Sequence, residues 1–229
     1  MITLCDMTFS DVQRHKLVHL LREVGPDAPT LCEGWTTLDL IIHLVIRENY
    51  PLAAAGMMVP QLSAKLAAQT QQLKATVPYT ELVDRWEQGS RLWPVAKADR
   101  WLNAVEHFVH YEDGSRAQPG KADQPQHMDR ADEQALLRGL KSMSKMLLRS
   151  STVPVVVQPD GWPRVVVHDK RGVAHNGSGV ATVSGPVGEI VLWLFGRDVA
   201  QVTVDDVSAG DSSFASVASR GRVWCGNLR

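Results

Sequence analysis

Apolar residues recur every three or four positions in several segments of the N-terminal half of the chain, which predicts amphipathic helices. The first segment covers residues 10–24 and ends at Gly25 and Pro26, which stop a helix. Ser10, followed three residues later by Gln13, predicts a capping box at its start. The chain therefore opens with one helix of about four turns.

The second segment, residues 38–46, is apolar nearly all the way round a helical wheel, so it should lie inside a helix bundle. Thr36 with Asp39 predicts a capping box at its start. His43 enters the interior with this helix. A neutral core histidine hydrogen-bonded to a neighbour is the ordinary interpretation of such a residue, and a metal ligand is the alternative.

Three further helices are predicted in this half of the chain: a short one at residues 62–68, one from Thr80 to near Trp93, and one from Trp101 to about Ala117. Asp99 is the predicted N-cap of the last of these. The four longer helices of this half would form an antiparallel bundle. Side chains on facing helices build the interior metal sites of such bundles.

The character of the chain changes after residue 128. Residues 129–150 show another helical pattern, and short β-branched runs follow it. The predicted elements are a hairpin of residues 153–157 and 164–168, a strand at 180–184, a helix at 187–195 and a strand at 202–204. We therefore predict a mainly α protein with a four-helix bundle over residues 1–128, a small α+β domain over 129–205 with a short-stranded sheet and one or two helices, and a flexible tail over 206–229.

Composition narrows the class of partner and the compartment. The 229 residues are 44% hydrophobic and carry a formal net charge of -1, which offers no attraction to nucleic acid or to an acidic membrane surface. The three cysteines are odd in number, far apart and without CxxC spacing, so they are predicted to be free thiols in a reducing cytosol. We expect a cytoplasmic monomer or homodimer that has no membrane span and binds a small molecule.

The helix predicted from Trp101 carries the residues with the clearest chemistry. Glu106 and His110 stand four positions apart, so they lie about 40° apart on one face, at the edge of an apolar stripe. Burying an unpaired carboxylate costs several kcal/mol, whereas a divalent cation would satisfy both side chains. An ordinary surface pair is the alternative. His43 is the candidate third ligand, and His107, about 100° round the helix, is predicted to be an outer residue.

Two carboxylates lie near these histidines in sequence. Asp39 precedes His43 by about one turn, and Asp113 follows His110 by about one turn. Either could move a proton during catalysis. We expect instead that both orient the ligand histidines, as carboxylates beside metal sites commonly do.

Three motifs follow one another along the chain: Gly34-Trp35-Thr36 with Asp39-Leu40 and His43-Leu44, the Glu106-x-x-x-His110 helix, and Gly185-Pro186-x-Gly188-Glu189 with Leu192-Trp193-x-Phe195-Gly196-Arg197. Together they resemble the mycothiol-dependent maleylpyruvate isomerase family, and more closely an uncharacterised actinobacterial branch of it described only as metal-binding. The resemblance covers most of residues 8–205. Residues beyond Asp205 match nothing in the family.

The resemblance implies a DinB-like four-helix bundle followed by a small α+β domain. It also implies a divalent metal, typically zinc, held by one histidine of the second helix and a glutamate and a histidine of the fourth, which correspond to His43, Glu106 and His110. Enzymes of the family use the small thiol mycothiol as a cosubstrate or transfer it. They also use an arginine of the C-terminal domain, for which Arg197 and Arg164 are the candidates, so the substrate stays open.

Two histidines and one carboxylate form the ligand set of catalytic zinc sites that keep a position open for water or substrate. A thiol or water bound there has its pKa lowered into the neutral range, which makes a nucleophile. The leading hypothesis is a metal-dependent, thiol-using transferase or isomerase acting on a small electrophile, with zinc favoured over nickel or iron. The alternative is a non-catalytic protein of the same fold that binds a metal or a small ligand.

Overall fold

The computed structural model describes residues 7–89, 100–149, 151, 153–169, 172 and 180–206. The predicted fold class is confirmed, because the described chain is mainly helical and ends in a small α+β module. Two compact units divide the described residues, and the change falls between Gln124 and Pro125. The boundary predicted from sequence, after residue 128, falls four residues later.

The N-terminal unit is helical. Its helices are α1 (Phe9–Val24), α2 (Thr37–Asn49), the single turn α3 (Pro51–Ala54), α4 (Ser63–Thr76), α5 (Tyr79–Glu87) and α6 (Arg100–Arg116). Two 3-10 turns, Ala55–Met57 and Pro60–Leu62, connect α3 to α4. Helix α4 is about twice as long as predicted, and α5 ends at Glu87 instead of near Trp93. The predicted N-cap Asp99 lies outside the described residues.

Capping fixes where the first two long helices begin. The Thr36 N–H donates to Asp39 Oδ2 at 3.0 Å, which confirms the capping box predicted for α2. The box predicted for α1 at Ser10 is wrong, because Thr8 and Asp11 form it instead. The two candidate capping boxes overlap in sequence. Thr8 stands immediately before Phe9, the first helical residue, so Thr8 is the N-cap.

Helix α2 is buried along most of its length, as its uniform apolar character predicts. Helices α1 and α6 pack against each other at Gly114, where an added Cβ would lie 2.9 Å from Leu20 Cδ2. The loop between α1 and α2 is joined to α6 by the Leu31 N–H, which donates to the Asp113 carbonyl oxygen at 2.9 Å. Among the described residues, no helix combines the length and apolar character of a membrane span.

The C-terminal unit contains α7 (Arg130–Leu147), β1 (Val155–Pro159), β2 (Val165–His168), β3 (Ala181–Gly185), α8 (Val187–Leu194) and β4 (Thr203–Asp206). The sheet order is β2-β1-β3-β4. β1 pairs with β2 in the predicted antiparallel hairpin, β1 and β3 are parallel, and β4 is antiparallel to β3. The tail predicted for residues 206–229 lies outside the described residues from residue 207 onward.

Candidate metal centre

The structure brings together the three residues predicted as metal ligands. His43 comes from α2, and Glu106 and His110 come from α6. One ligand atom of each residue lies within 4.8 Å of the others. All three side chains are buried, with 3%, 1% and 1% of the respective residues exposed. The two imidazole ring centres are 5.0 Å apart. We call these three residues the metal group.

The polar atoms of the metal group are orphaned. Among the described residues, both ring nitrogens of His43, both carboxylate oxygens of Glu106 and Nε2 of His110 are buried without a hydrogen-bond partner. Glu106 Oε2 has only longer ion-pair contacts, at 3.4 Å to Arg47 Nε and 3.5 Å to His110 Nε2. Buried polar groups are normally hydrogen-bonded, and leaving five such atoms unsatisfied is costly. A divalent cation would satisfy them at once, so the residues present fit a metal. His43 makes no hydrogen bond to any described residue, and Glu106 and His110 do form an i,i+4 pair, with Oε2 and Nε2 3.5 Å apart, but it is buried rather than on the surface.

Electrostatics sets the protonation of the metal group. Burial lowers the pKa of His43 to about 3, so this ring is neutral. Burial raises the pKa of Glu106, but the charge of Arg47 and the interaction with His110 outweigh it, and the net shift is downward. Burial lowers the pKa of His110, yet Asp113 and Glu106 more than offset it and raise it above the ordinary value. A divalent cation bound at Nε2 would favour the neutral form of His110.

Asp113 contacts His110, one of the candidate metal ligands. Its Oδ2 lies 3.0 Å from Nδ1 of His110, so Nε2 of that ring faces Glu106 and His43. This is the arrangement expected for a carboxylate that fixes the ring and tautomer of a metal ligand. The corresponding prediction for Asp39 is wrong, because its oxygens accept from Thr36 and Lys74, and the His43 nitrogens bond to nothing.

Cys32 lies behind His110, which sequence spacing did not indicate. Its Sγ is 3.4 Å from Asp113 Oδ2, and Cys32, His110 and Asp113 form a second compact group of potential ligands. Cys32 is disulfide-bonded, so the prediction of a free thiol is wrong for this residue. A disulfide sulfur lacks the thiolate charge that metals require. The group containing His43 is therefore the better candidate for a metal.

His107 turns away from the metal group, as predicted, but it is not an outer residue. It is 1% exposed, its Nδ1 lies 2.9 Å from Ser10 Oγ, and its Nε2 lies 3.2 Å from Glu48 Oε1. Glu48 also accepts from Arg14 and from the indole N–H of Trp86. His107 is therefore part of a buried structural network on the other side of α6.

Two residues beside the metal group were missed by sequence reasoning. The Trp35 ring packs against His43, with ring centres 5.3 Å apart. The Arg47 Nε lies 3.4 Å from Glu106 Oε2, and its Nη1 donates to Asn103 Oδ1 at 2.8 Å. Arg47 stands four positions after His43, so helical spacing was the signal that could have found it.

Arg197, predicted as a substrate contact, belongs to the C-terminal unit. It is 4% exposed, and its Nη1 donates to the Phe195 carbonyl oxygen at 2.7 Å. These contacts hold the chain just after α8. The predicted substrate contact gains no support from them.

Comparison with known proteins gives a distant result. No protein-family model and no curated protein sequence matches the chain. A solved structure of the mycothiol-dependent maleylpyruvate isomerase is similar at 18% sequence identity and a TM-score of 0.48, covering 92% of this chain and 97% of that chain. A histidine-to-alanine mutant of that enzyme is similar at 17% identity with the same TM-score and coverage. A similarity this low does not assign the chain to that family.

Proposed function

We propose that this protein is a metal-dependent, thiol-using transferase or isomerase that acts on a small electrophilic molecule. His43, Glu106 and His110 would hold the divalent ion, with zinc as the first candidate and nickel or iron as alternatives. The observation that carries the proposal is the convergence of orphaned donor atoms from α2 and α6 in the interior. A set of two histidines and one carboxylate is typical of catalytic zinc.

The side chains around the metal group have separable roles in this proposal. The Asp113 carboxylate accepts a hydrogen bond from Nδ1–H of His110, so Nε2 of that ring would face the ion. Glu106 supplies the negative charge that a divalent ion requires. A bound divalent ion with an open position lowers the pKa of a thiol and makes a thiolate available at neutral pH. The resemblance of three motifs to mycothiol-using proteins favours mycothiol as the thiol.

A non-catalytic metal-binding or small-ligand-binding protein is the second candidate. The burial of the metal group favours it, because each of the three residues is at most 3% exposed. A structural or storage site needs no route for a substrate, whereas a catalytic site does. The two candidates share the ion and differ in whether a thiol binds to it.

Metal analysis followed by calorimetry tests the proposal. We expect about one zinc per chain in the purified protein and a large loss of zinc in His43→Ala, with His15→Ala, an exposed histidine of α1, as the matched control. Mycothiol titrated into the zinc-loaded protein should bind. Retention of the metal by His43→Ala would contradict the proposed ligands. Stoichiometric metal without thiol binding would favour the non-catalytic candidate.

Three further features are proposed with this function. The helical unit is taken to extend over residues 1–128 and the α+β domain over 129–205. The protein is proposed to act in the cytoplasm, as a monomer or homodimer. Fractionation and light scattering of the native protein test the last two.

A further inference from the structure

Arg47 is the most exposed charged residue in contact with the metal group among the described residues. Its side chain is 19% exposed, whereas that of Glu106 is 1% exposed. Its Nη1 donates to Asn103 Oδ1 at 2.8 Å, and its Nε lies 3.4 Å from Glu106 Oε2. The guanidinium is therefore held in place on one side and reaches solvent on the other.

Arg47 and Asn103 also mark one end of the metal group. Arg47 follows His43 by one turn of α2, and Asn103 precedes Glu106 by about one turn of α6. Trp35, which packs against His43, and Asp113, which contacts His110, are both buried. Of these neighbours of the metal group, Arg47 is the one that solvent reaches.

Arg47 has hydrogen-bonding capacity left for a ligand. A guanidinium carries five N–H donors in a planar fork, and the contacts above involve only Nε and Nη1. Within the described residues, Nη2 of Arg47 and Nδ2 of Asn103 make no hydrogen bond. Both groups lie outside the tightly buried part of the site, so water or a ligand satisfies them.

The charge of the metal group selects the sign of that ligand. Arg47 carries one positive charge, and Glu106 and Asp113 carry one negative charge each when ionised. A divalent ion adds two positive charges, so the loaded site is net positive in a poorly solvated setting that strengthens attraction to an anion. A guanidinium fork matches the two oxygens of a carboxylate.

We propose that Arg47, held by Asn103, binds a carboxylate group of the small substrate at the open end of the metal group. This inference rests on the proposed function and deepens it, because it assigns substrate binding to a residue of α2 rather than to the predicted Arg197. Asn103 is a positioning residue, since it acts through the guanidinium.

Calorimetry on the zinc-loaded protein tests this, with acetate as the probe and acetamide as its uncharged match. We expect acetate to bind more tightly than acetamide, and Arg47→Gln to weaken acetate binding tenfold or more without changing zinc stoichiometry. Arg47→Lys should fall between, because it keeps the charge and loses the fork. Arg85→Gln, which removes an exposed arginine of α5, is the matched control and should bind acetate normally.

Asn103→Ala provides a second variant if Arg47→Gln fails to fold or loses zinc. This variant keeps the charge of Arg47 and removes the hydrogen bond to Asn103 that holds the guanidinium in place, so acetate binding should weaken severalfold. Equal acetate binding by the wild-type protein and these variants would overturn the inference, as would a wild-type protein that binds zinc but no acetate. Failure of the wild-type protein to bind zinc would instead overturn the proposed function.

Discussion

The ring of His110 is held by a carboxylate, and that of His43 is held by packing. Asp113 lies 3.0 Å from Nδ1 of His110, while Trp35 lies against His43, whose nitrogens make no hydrogen bond. A hydrogen bond fixes both the orientation and the tautomer of an imidazole. Packing fixes only the orientation of the ring. Metal binding through the two candidate ligands, His43 and His110, should therefore respond differently to substitutions around them.

Removal of the Asp113 charge should weaken metal binding. Asp113→Asn keeps the size of the side chain but lowers the basicity of His110 and allows the wrong tautomer, so we expect zinc affinity to fall about 10- to 100-fold. Competition with a chromogenic chelator measures this. Asp123→Asn, at an exposed position of the same unit, is the control. Unchanged affinity in Asp113→Asn would show that Asp113 does not support the ligand.

Helical spacing identifies candidates at the residue scale, and competition among polar groups decides between them. Asp39 and Asp113 stand at similar distances along a helix from a histidine. Asp39, however, accepts hydrogen bonds from Thr36 at the start of α2 instead of contacting His43. The unpaired N–H groups of a helix start attract a nearby carboxylate strongly. Sequence pattern therefore predicted the three members of the metal group but could not separate their supporting residues.

At the scale of elements, one buried carboxylate joins four helices. Glu48 of α2 accepts from Arg14 of α1 and Trp86 of α5 and contacts His107 of α6. Burial alone would raise the pKa of Glu48, but the hydrogen bond from His107 and the charge of Arg14 outweigh it and lower the pKa to about 2. The ionised form is therefore the one that stabilises the bundle.

This network should give the bundle a defined acid sensitivity. A carboxylate whose pKa is lowered on folding stabilises the protein above its unfolded pKa of about 4.5, and this contribution is lost as the pH falls toward 2. The full contribution is about 3 kcal/mol. Between pH 5 and pH 3 the wild-type protein should lose more unfolding free energy than Glu48→Gln does, as measured by urea titration. Parallel pH profiles would contradict the assigned role.

The sequence pattern predicted where helices and strands lie, but it did not predict which of them contact each other. Helix α2 and the hairpin were predicted within a few residues, because capping and periodicity are local. The network of Glu48 and His107 was missed, since it links positions 59 residues apart and only the packed bundle places them together. The parallel pairing of β1 with β3 was likewise missed, because it joins two strands that are separated along the chain by β2.

At the scale of the whole molecule, metal binding and folding should be linked. The ligands come from two helices and converge only in the folded bundle, so an ion that binds them stabilises the folded state. At a free zinc concentration 100 times the dissociation constant, the gain is about 2.7 kcal/mol. We expect thermal unfolding to shift upward by several degrees on addition of zinc, as measured by calorimetry.

His43→Ala serves as the control for this linkage, because it removes one ligand and should abolish the shift. A chelator added to the wild-type protein should reverse the shift. An equal shift in both proteins would place the stabilising ion elsewhere. Such a result would separate the stability of the bundle from the metal group.

Asp113 makes contacts through both its side chain and its main chain, because its carbonyl oxygen accepts a hydrogen bond from the Leu31 N–H. Its side chain meets a ring of the interior cluster, and its main chain meets an outer loop that carries the exposed Glu33. We expect an ion bound at the metal group to be felt by this loop through Asp113. A fluorophore attached at position 33 should then report binding of the ion, because position 33 lies outside the metal group.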